Sequence, residues 1–515
     1  MKAEIIETFK KGMESEKIHN IFYRSSNNTP TQTTDRPQIT NISTDNDDLS
    51  VNLIRNFVNN ENNSLYESAQ FKLKYTGSER TFISDINLNI TGITGYDILP
   101  IDIECNGTLE REPMYIYNPN ESPVTVDIKQ TNNGAPLLMI KYKYSDSNKW
   151  IKFKNTEVTP VDNIVISFTI SPEQYLYICS LEDNEITDII NNIDKTKTTL
   201  STWCYEHSNL YFSCNNSVNN LIIGGDIMSL INENTMGSYC FRGLFENFTA
   251  LKTVKNDFLT PKILSEHCYD SMFSGCTSLK EIQELPATTL AQECYREMFK
   301  GCTSLKTAPE LLATSVAQAC CFYMFHGCTS LVNAPSKLPA TTLAESCYSY
   351  MFSDCKKLIN APELPATTLA PYCYESMFSG CTSLTTAPEL PATELQRSCY
   401  MDMFYNCTSL VNAPSKLPAT TLKQECYREM FRNCNKINNI TMLATPTATT
   451  IKTYFDSGTD FKTYNWLENT AIDSPGTLHI TSDMNELRNA YMAENNNYDP
   501  LHIPDNWNVK TIIIS

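Results

Sequence analysis

The chain has 515 residues, of which 41% are hydrophobic and 19% are charged, and this composition is typical of folded globular proteins. Such a length exceeds the usual size of one hydrophobic core, so at least two folded parts are expected. Acidic residues outnumber basic ones by 58 to 40, which gives a formal net charge of −18. Nucleic acid and anionic lipid are bound through Lys and Arg, so neither is an expected partner. The sequence contains no run of about 18 apolar residues, so no membrane span is expected.

The N-terminal 22 residues are amphipathic and predict a short helix with Ile5, Ile6 and Phe9 along one side. This segment lacks the apolar stretch and the small-residue cleavage site of a secretory signal, so signal-dependent export is not expected. The segment after it is polar and rich in Thr, Asn and Pro, which favours a linker or an arm that orders only against a partner. Residues 1–62 are therefore interpreted as an anchor, with the three apolar side chains at its contact surface.

Residues 63–180 alternate apolar and polar side chains over short runs, such as Ile164–Ile170. Turn sequences, including Asn-Gly and Asn-Pro-Asn, separate these runs, and this pattern predicts an antiparallel β-sandwich. Residues 181–262 are interpreted as a transition that caps the start of the following repeats. A weak copy of the repeat around Cys240 supports that interpretation, because terminal repeats are usually atypical.

Residues 263–445 repeat a unit of 26 or 27 residues, which is the strongest signal in the sequence. The first cysteine of each unit recurs at this interval: Cys268, Cys294, Cys320, Cys347, Cys373, Cys399 and Cys426. A second cysteine follows eight residues after each of them. One unit cannot bury its apolar side chains alone, so the units are expected to stack into a solenoid with one continuous core.

Within one unit, the apolar residues Cys294, Tyr295, Met298, Phe299 and Cys302 are spaced at i, i+1, i+4, i+5 and i+8. This spacing predicts one face of a short helix. The prolines of the rest of the unit favour extended backbone. The expected fold class is therefore α+β: an N-terminal helix and polar arm, a β-sandwich-like domain, and a solenoid closed by a small β cap over 446–515.

The motif Met-Phe-x-x-Cys-x-x-Leu, followed by Leu-Pro-x-x-Leu, resembles the BspA-type leucine-rich repeat, which has Ala-Phe-x-x-Cys-x-x-Leu at the same place. The resemblance covers roughly 200 residues in seven clear copies. This sequence departs from the family in having Cys-Tyr where Ile-Gly is frequent, and Leu312 in place of a turn proline. The segments Pro475–Leu478 and Ile503–Val509 resemble the closing strands of such arrays in gut Bacteroidetes and their phages. The resemblance implies a surface protein.

The regular cysteines have three possible roles: metal ligands, disulfide partners or buried thiols. Their spacing differs from that of zinc sites, and no histidine accompanies them at a fixed position. A disulfide within a unit would have to span about 12 Å along a helix, although cysteines of adjacent units could meet. Buried thiols are favoured, because cysteine is among the most buried residue types. No metal and no cofactor are expected.

Aromatic residues at a position that is polar in other units are candidate binding residues. Tyr323 and Tyr350 each lie three residues after the first cysteine, where other copies carry Ser, Glu or Asp, and Phe322 lies beside Tyr323. Equivalent positions of adjacent coils lie side by side, so these residues predict an exposed aromatic patch near the centre of the array. Scattered surface aromatics without a function remain the alternative. The tyrosine that follows the first cysteine of most units is expected to pack in the core rather than to stack on carbohydrate.

The sequence contains no phosphate-binding glycine loop and no nucleophile elbow, so no enzymatic activity is expected. The leading hypothesis is a phage virion fibre or decoration protein, made in the host cytoplasm. Residues 1–180 would contact other virion proteins and form a homo-oligomer, and the solenoid would bind a host surface glycan or protein. A BspA-like adhesin on the bacterial cell surface is the first alternative. A glycan depolymerase, which would need a pair of carboxylates in a cleft, is the second.

Overall fold

The computed structural model describes residues 112–131, 139–154, 163–180, 209–214, 220–231, 236–255, 258–282, 285–445 and 463–513, together with seven strands between residues 2 and 105. The chain forms two compact units, Met1–Pro113 and Met114–Ser515. The regular secondary structure of the described residues is almost entirely β-strand and β-bridge, so the fold is mostly β. No described helix is long and apolar enough to cross a membrane.

The first unit contains one seven-stranded sheet. Its strands are β1 (Lys2–Ala3), β2 (Ile18–Tyr23), β3 (Ser43–Thr44), β4 (Leu49–Leu53), β5 (Ser68–Thr76), β6 (Thr81–Asn89) and β7 (Leu99–Cys105), in the order β3-β1-β2-β7-β6-β5-β4. The helix predicted for the N-terminal 22 residues is wrong where the structure describes the backbone. Strand β2, rich in Ile, Phe and Tyr, pairs antiparallel with β7 instead, because these residue types favour a pleated surface. Ile5, Ile6 and Phe9 lie outside the described residues.

The second unit begins with two sheets. Their strands are β8 (Met114–Asn118), β9 (Val124–Thr131), β10 (Met139–Tyr144), β11 (Ile151–Lys154), β12 (Asn163–Ile170), β13 (Gln174–Ser180), β14 (Asn209–Cys214), β15 (Leu221–Gly224) and β16 (Leu251–Val254). One sheet has the order β11-β10-β13-β8-β15-β16 and the other β12-β9-β14. Alternate residues of both sheets are buried in a common hydrophobic cluster, as alternating sequence patterns require. Tyr142 and Phe168 join the two sheets, with ring centroids 4.9 Å apart.

The six-stranded sheet leads directly into the solenoid. Strand β15 pairs in parallel with β16, and Thr253 of β16 forms a parallel bridge with Glu281 of the next coil. Parallel bridges then recur between coils, for example from Thr307 to Asn333 and from Asn333 to Asn360. The structure is thus a β-solenoid of about nine turns. Most coils of the array are 26 or 27 residues long, and the terminal coils are longer.

Each coil contains a nine-residue segment from the first to the second cysteine, which we call the turn run. The predicted helix is absent there. In the coil of Cys268, the backbone N–H groups of Tyr269 and Phe273 donate to the carbonyls of Cys294 and Met298 in the next coil, at 3.1 and 2.9 Å. The N–H groups of alternate residues donate instead to the carbonyl three positions earlier in the same coil. Four of the nine N–H groups of the turn run therefore hold adjacent coils together.

Every fourth residue has a positive φ, starting with the residue just before the turn run. In the coil of Cys268 these residues are His267, Ser271 and Gly275, with φ of 53°, 57° and 71°. A left-handed residue every fourth position is incompatible with an α-helix, because helical residues all have negative φ. The spacing of the apolar residues fits both a helix and a chain of turns that repeats every four residues. The hydrogen bonds between coils favour the turns.

The turn runs bury the apolar residues that the sequence pattern identified. Cys294, Tyr295, Met298, Phe299 and Cys302 are each 0–1% exposed. Equivalent rings stack from coil to coil. One ladder of eight phenylalanines runs from Phe245 to Phe431. A second ladder of tyrosines is interrupted at Cys321, where the coil carries cysteine in place of tyrosine. These stacked aromatic ladders run through the core from coil to coil.

The C-terminal end of the solenoid is closed by a parallel sheet and a helix. The strands are β17 (Asn439–Thr441), β18 (Gly476–Thr481) and β19 (Trp507–Ile512). Helix α1 (Ser482–Glu494) follows β18, and its N-terminus is capped by the side chain of Thr481, which accepts a hydrogen bond from the backbone N–H of Met484 at 3.2 Å. Helix α1 is the one α-helix in the described part of the chain, so the repeated helices of the predicted α+β class are absent there. The predicted sheets followed by a solenoid are present, and the fold is mostly β.

Candidate binding site

The turn runs present one partly exposed face of the solenoid, which we call the outer face. The side chains of the turn runs that are buried in the core are nearly constant from coil to coil, whereas the side chains on the outer face vary. The central position, three residues after the first cysteine, has a positive φ in each coil: Gly243, Ser271, Glu297, Tyr323, Tyr350, Ser376, Asp402 and Glu429. The backbone conformation is the same in all of these coils. Side chains of different chemistry are therefore displayed on one uniform framework.

The structure brings Phe322, Tyr323 and Tyr350 into one cluster at the middle of the outer face. The rings of Tyr323 and Tyr350 stack with centroids 4.5 Å apart and planes 17° apart. Phe322 lies edge-on to both, with centroids 4.5 Å from Tyr323 and 5.9 Å from Tyr350. All three side chains are partly exposed. The predicted side-by-side placement of the two tyrosines in adjacent coils thus occurs, and the rings form one connected aromatic cluster.

Neighbouring side chains lie against the ring faces of the cluster, above all those of Tyr323. Tyr323 is covered by Tyr350 from one coil and by the Lys300 ammonium from the opposite neighbouring coil, at 5.5 Å from the ring centroid. The Arg296 guanidinium lies over Phe322 at 5.8 Å. These are cation–π contacts. Because the faces of Tyr323 are already occupied, the cluster is better suited to packing against a protein partner or to hydrogen bonding than to stacking a sugar ring on Tyr323.

The cations beside the cluster are held in place by carboxylates of their own coil. Arg296 pairs with Glu293 at 2.7 Å, and Lys300 pairs with Glu297 at 2.8 Å. Such partly exposed pairs add little stability, but they fix the orientation of long side chains. The coil of Cys426 repeats this arrangement with Arg428 and Arg432, each paired with a glutamate of its coil. The basic side chains of both coils are therefore largely neutralised.

Carboxyl groups lie on the other side of the cluster. The hydroxyl of Tyr350 donates to Glu375 Oε1 at 3.3 Å. Burial, together with the charges of Asp402 and Glu425, raises the pKa of Glu375 to about 7. Burial and Glu429 raise the pKa of Asp402 to about 6. Arg428 and Arg432 oppose the rise of the Asp402 pKa, so this part of the outer face combines partly buried carboxyl groups with nearby cations.

The same environment affects the aromatic hydroxyls. Burial and the neighbouring Glu375 carboxylate raise the pKa of Tyr350 to about 12. Burial, aided by Glu375 and Glu297, also raises the pKa of Tyr323. Burial lowers the pKa of His326, whose ring lies edge-on to Tyr323 with centroids 5.0 Å apart. At neutral pH the cluster therefore presents neutral tyrosine hydroxyls that can donate hydrogen bonds.

The cysteines line the core. In the second cysteine column, the thiol of each residue donates to the backbone carbonyl of a phenylalanine in the preceding coil, as Cys328 does to Phe299 at 3.1 Å. Burial raises the pKa of Cys328 to about 12, so its thiol form is strongly favoured. No disulfide joins the cysteines that the structure describes, and no group of three or more metal-ligating side chains occurs within the described residues. The arrangement is that of buried thiols, which the sequence favoured.

The sequence analysis missed four polar neighbours of the cluster: Arg296, Lys300, His326 and Glu375. Their positions contained a usable signal, because each lies two or six residues after the first cysteine of its unit, and thus on the outer face. The proposed anchor residues Ile5, Ile6 and Phe9 cannot be compared, since they lie outside the described part of the chain. Comparisons with protein-family models, curated proteins and solved structures returned no match for this chain.

Proposed function

We propose that this protein is a non-enzymatic attachment protein that binds its partner through the outer face of the solenoid, centred on Phe322, Tyr323 and Tyr350. One observation supports this most strongly: the buried residues of the turn runs are nearly constant while the outer residues vary, and three of the outer aromatic residues, Phe322, Tyr323 and Tyr350, meet in one cluster. Clustered tyrosine and phenylalanine side chains beside arginine are typical of the energetic centres of protein interfaces.

The partner of the outer face is a host surface protein or glycan, contacted by ring edges, tyrosine hydroxyls and the nearby carboxyl groups. The repeats are a variant of the BspA-type leucine-rich repeat, whose Phe-x-x-Cys-x-x-Leu positions correspond to the buried positions of these coils. The protein is a fibre or decoration protein of a phage virion, which docks through residues 1–180 and forms a homo-oligomer. A bacterial surface adhesin remains the alternative for the same binding face.

The binding part of this proposal is tested with the double variant Tyr323→Ser and Tyr350→Ser. Serine occurs at the same position in other coils with the same positive φ, so folding should be preserved. Each substitution should cost on the order of 1–2 kcal/mol of binding free energy if the tyrosines act as interface hot spots. Binding of the labelled protein to intact host cells gives the readout.

A matched control removes two tyrosines elsewhere on the outer face, Tyr372→Ser and Tyr405→Ser. These rings contact Arg397 and Arg432 but do not belong to the cluster. The control should retain binding. Unchanged cell binding by the Tyr323/Tyr350 variant, with an unchanged melting temperature, would refute the role of the cluster. Mass spectrometry of purified virions tests the assignment to a particle, and absence of the chain from them would favour the adhesin.

A further inference from the structure

A polar pocket lies where strand β14 meets the first coil of the solenoid. Its volume is about 490 Å³, within the range of small-molecule sites. Strand β14 is fixed there because the N–H of Phe212 donates to the carbonyl of Leu244 at 2.8 Å, and the rings of Phe212 and Phe245 stack at 4.9 Å. Strand β14 and the first coil therefore form the two walls of the pocket.

The pocket is open because the central position of this coil is glycine. Gly243 has a φ of 62°, like its equivalents, which carry Ser, Glu, Asp or Tyr side chains in the other coils. A Cβ atom at Gly243 would have only the Glu246 carboxylate close to it, at 3.3 Å. A side chain at this position would consequently extend into the pocket. The missing side chain leaves room for a ligand.

The lining offers hydrogen-bonding groups with little net charge. It consists of Leu210, Tyr211, Ser213, Arg242, Gly243, Glu246, Asn247 and Ser271. The Arg242 guanidinium is held by the buried carboxylate of Asp270 at 3.1 Å, and Ser271 donates to the same carboxylate at 2.8 Å. The positive charge of Arg242 is thus balanced before any ligand arrives.

One lining group lacks a partner in the described part of the chain. The hydroxyl oxygen of Ser213 is buried and forms no hydrogen bond there. A buried polar atom without a partner costs free energy. The Asn247 amide and the Glu246 carboxyl also line the same space.

The chemistry of the lining selects a class of ligand. An anion such as phosphate would meet the carboxyl group of Glu246, with the charge of Arg242 already paired with Asp270. An apolar ligand would find only Leu210 and the ring of Tyr211. We propose that this pocket binds one or two residues of a neutral sugar, whose hydroxyls match a lining of hydroxyl, amide, guanidinium and carboxyl groups. This site goes beyond the aromatic cluster and stands independently of it, since the two lie on different coils.

The test is a titration of the full chain with glucose, galactose, mannose, N-acetylglucosamine and their disaccharides, with inorganic phosphate as the anionic comparison. Saturation-transfer NMR and calorimetry provide the readouts. For a ligand of this size in an open pocket, at least one sugar should bind with a Kd on the order of 1 mM. Absence of binding by all of the sugars at about 50 mM, or binding of phosphate in their place, overturns the proposal.

One variant and its control locate the site. Gly243→Tyr places a ring in the pocket at a φ that Tyr323 and Tyr350 adopt, and it should weaken sugar binding at least about tenfold. The control Asp402→Tyr puts the same ring at the equivalent position of a distant coil and should leave sugar binding unchanged.

Sugar binding that Gly243→Tyr leaves unchanged would place the sugar elsewhere and refute the assignment. Cell binding by Gly243→Tyr is measured as well, because this variant leaves the aromatic cluster intact. A loss of sugar binding can then be distinguished from a loss of attachment to cells. If Gly243→Tyr abolishes sugar binding while the Tyr323/Tyr350 variant retains it, the pocket is a sugar site whether or not the cluster binds cells.

Discussion

Glu375 should make the solenoid less stable as pH rises through the neutral range. The pKa of its carboxyl is about 7 in the folded protein, against an ordinary value of 4.5, and the first cause is burial. Between pH 4.5 and pH 7 the Glu375 carboxyl is therefore still protonated in the folded state but has lost its proton in the unfolded state. The free energy of unfolding consequently falls as pH rises from about 4.5 to about 7. At 1.36 kcal/mol per pKa unit the difference is about 3 kcal/mol as an upper bound, and partial exposure reduces it to about 1–2 kcal/mol.

The variant Glu375→Gln removes the charge and keeps an oxygen that can accept the hydrogen bond of the Tyr350 hydroxyl. Above pH 7 the variant should be more stable than the original protein by about 1–2 kcal/mol, and near pH 4 the two should be equal. In a folded unit of this size the gain corresponds to about 1–2 °C in melting temperature. Scanning calorimetry of both proteins from pH 4 to pH 8.5 measures it.

The control for this experiment is Glu363→Gln, which changes a glutamate that is 66% exposed on a neighbouring coil and paired with Lys337 at the surface. It should leave the pH profile unchanged, because surface pairs contribute little. The reasoning about burial would be refuted if Glu375→Gln were destabilising at pH 8. A difference from the original protein that is the same at pH 4 and pH 8 would refute it equally.

Three further predictions concern the core. Cys321→Tyr should raise the melting temperature, because a ring there would restore the tyrosine ladder between Tyr295 and Tyr348, and each ring pair contributes about 0.5–1.5 kcal/mol. A lower melting temperature would mean that the core at Cys321 has no room for the larger side chain. Phe325→Ala removes a fully buried ring stacked on both sides and should cost about 3–5 kcal/mol in denaturant unfolding, so a loss below about 1 kcal/mol would contradict the ladder. Cys328 should resist alkylation at pH 8 in the folded protein and react after unfolding, as mass spectrometry can show, and rapid labelling of the folded protein would contradict its burial.

The sequence predicted the repeat, its length and its buried side chains, because these depend on spacing alone. It did not predict the backbone of the turn run, because apolar residues at i, i+1, i+4 and i+5 fit a helix and a four-residue turn equally well. One signal for the turns was present in the seventh position after the first cysteine. That position is occupied by Gly275, Asp354 or Asn406 and their equivalents, which are the residue types that most readily adopt a positive φ.

The same limit applied to the candidate site and to the cap. Tyr323 and Tyr350 occupy the same position of adjacent repeat units, and this was sufficient to place them side by side. It could not show that the two rings stack face to face, since stacking depends on side-chain rotamers. Helix α1 was missed because its local signal is a cap rather than a hydrophobic stripe. Only Met484 and Leu487 of the helix are buried, whereas Thr481 and Asp483 mark its start.

The hydrogen bonds between turn runs make each coil a unit that can be duplicated or lost as a whole. Every coil donates the same set of N–H groups to the next one, so an added 26-residue segment would find matching partners on both sides. Neighbouring parallel strands lie about 4.8 Å apart, so each coil added before the aromatic cluster would move the cluster by about that distance from the sheets at the start of the solenoid. Recombination between near-identical repeats would thus change the reach of the protein in fixed steps while preserving the surface that it displays.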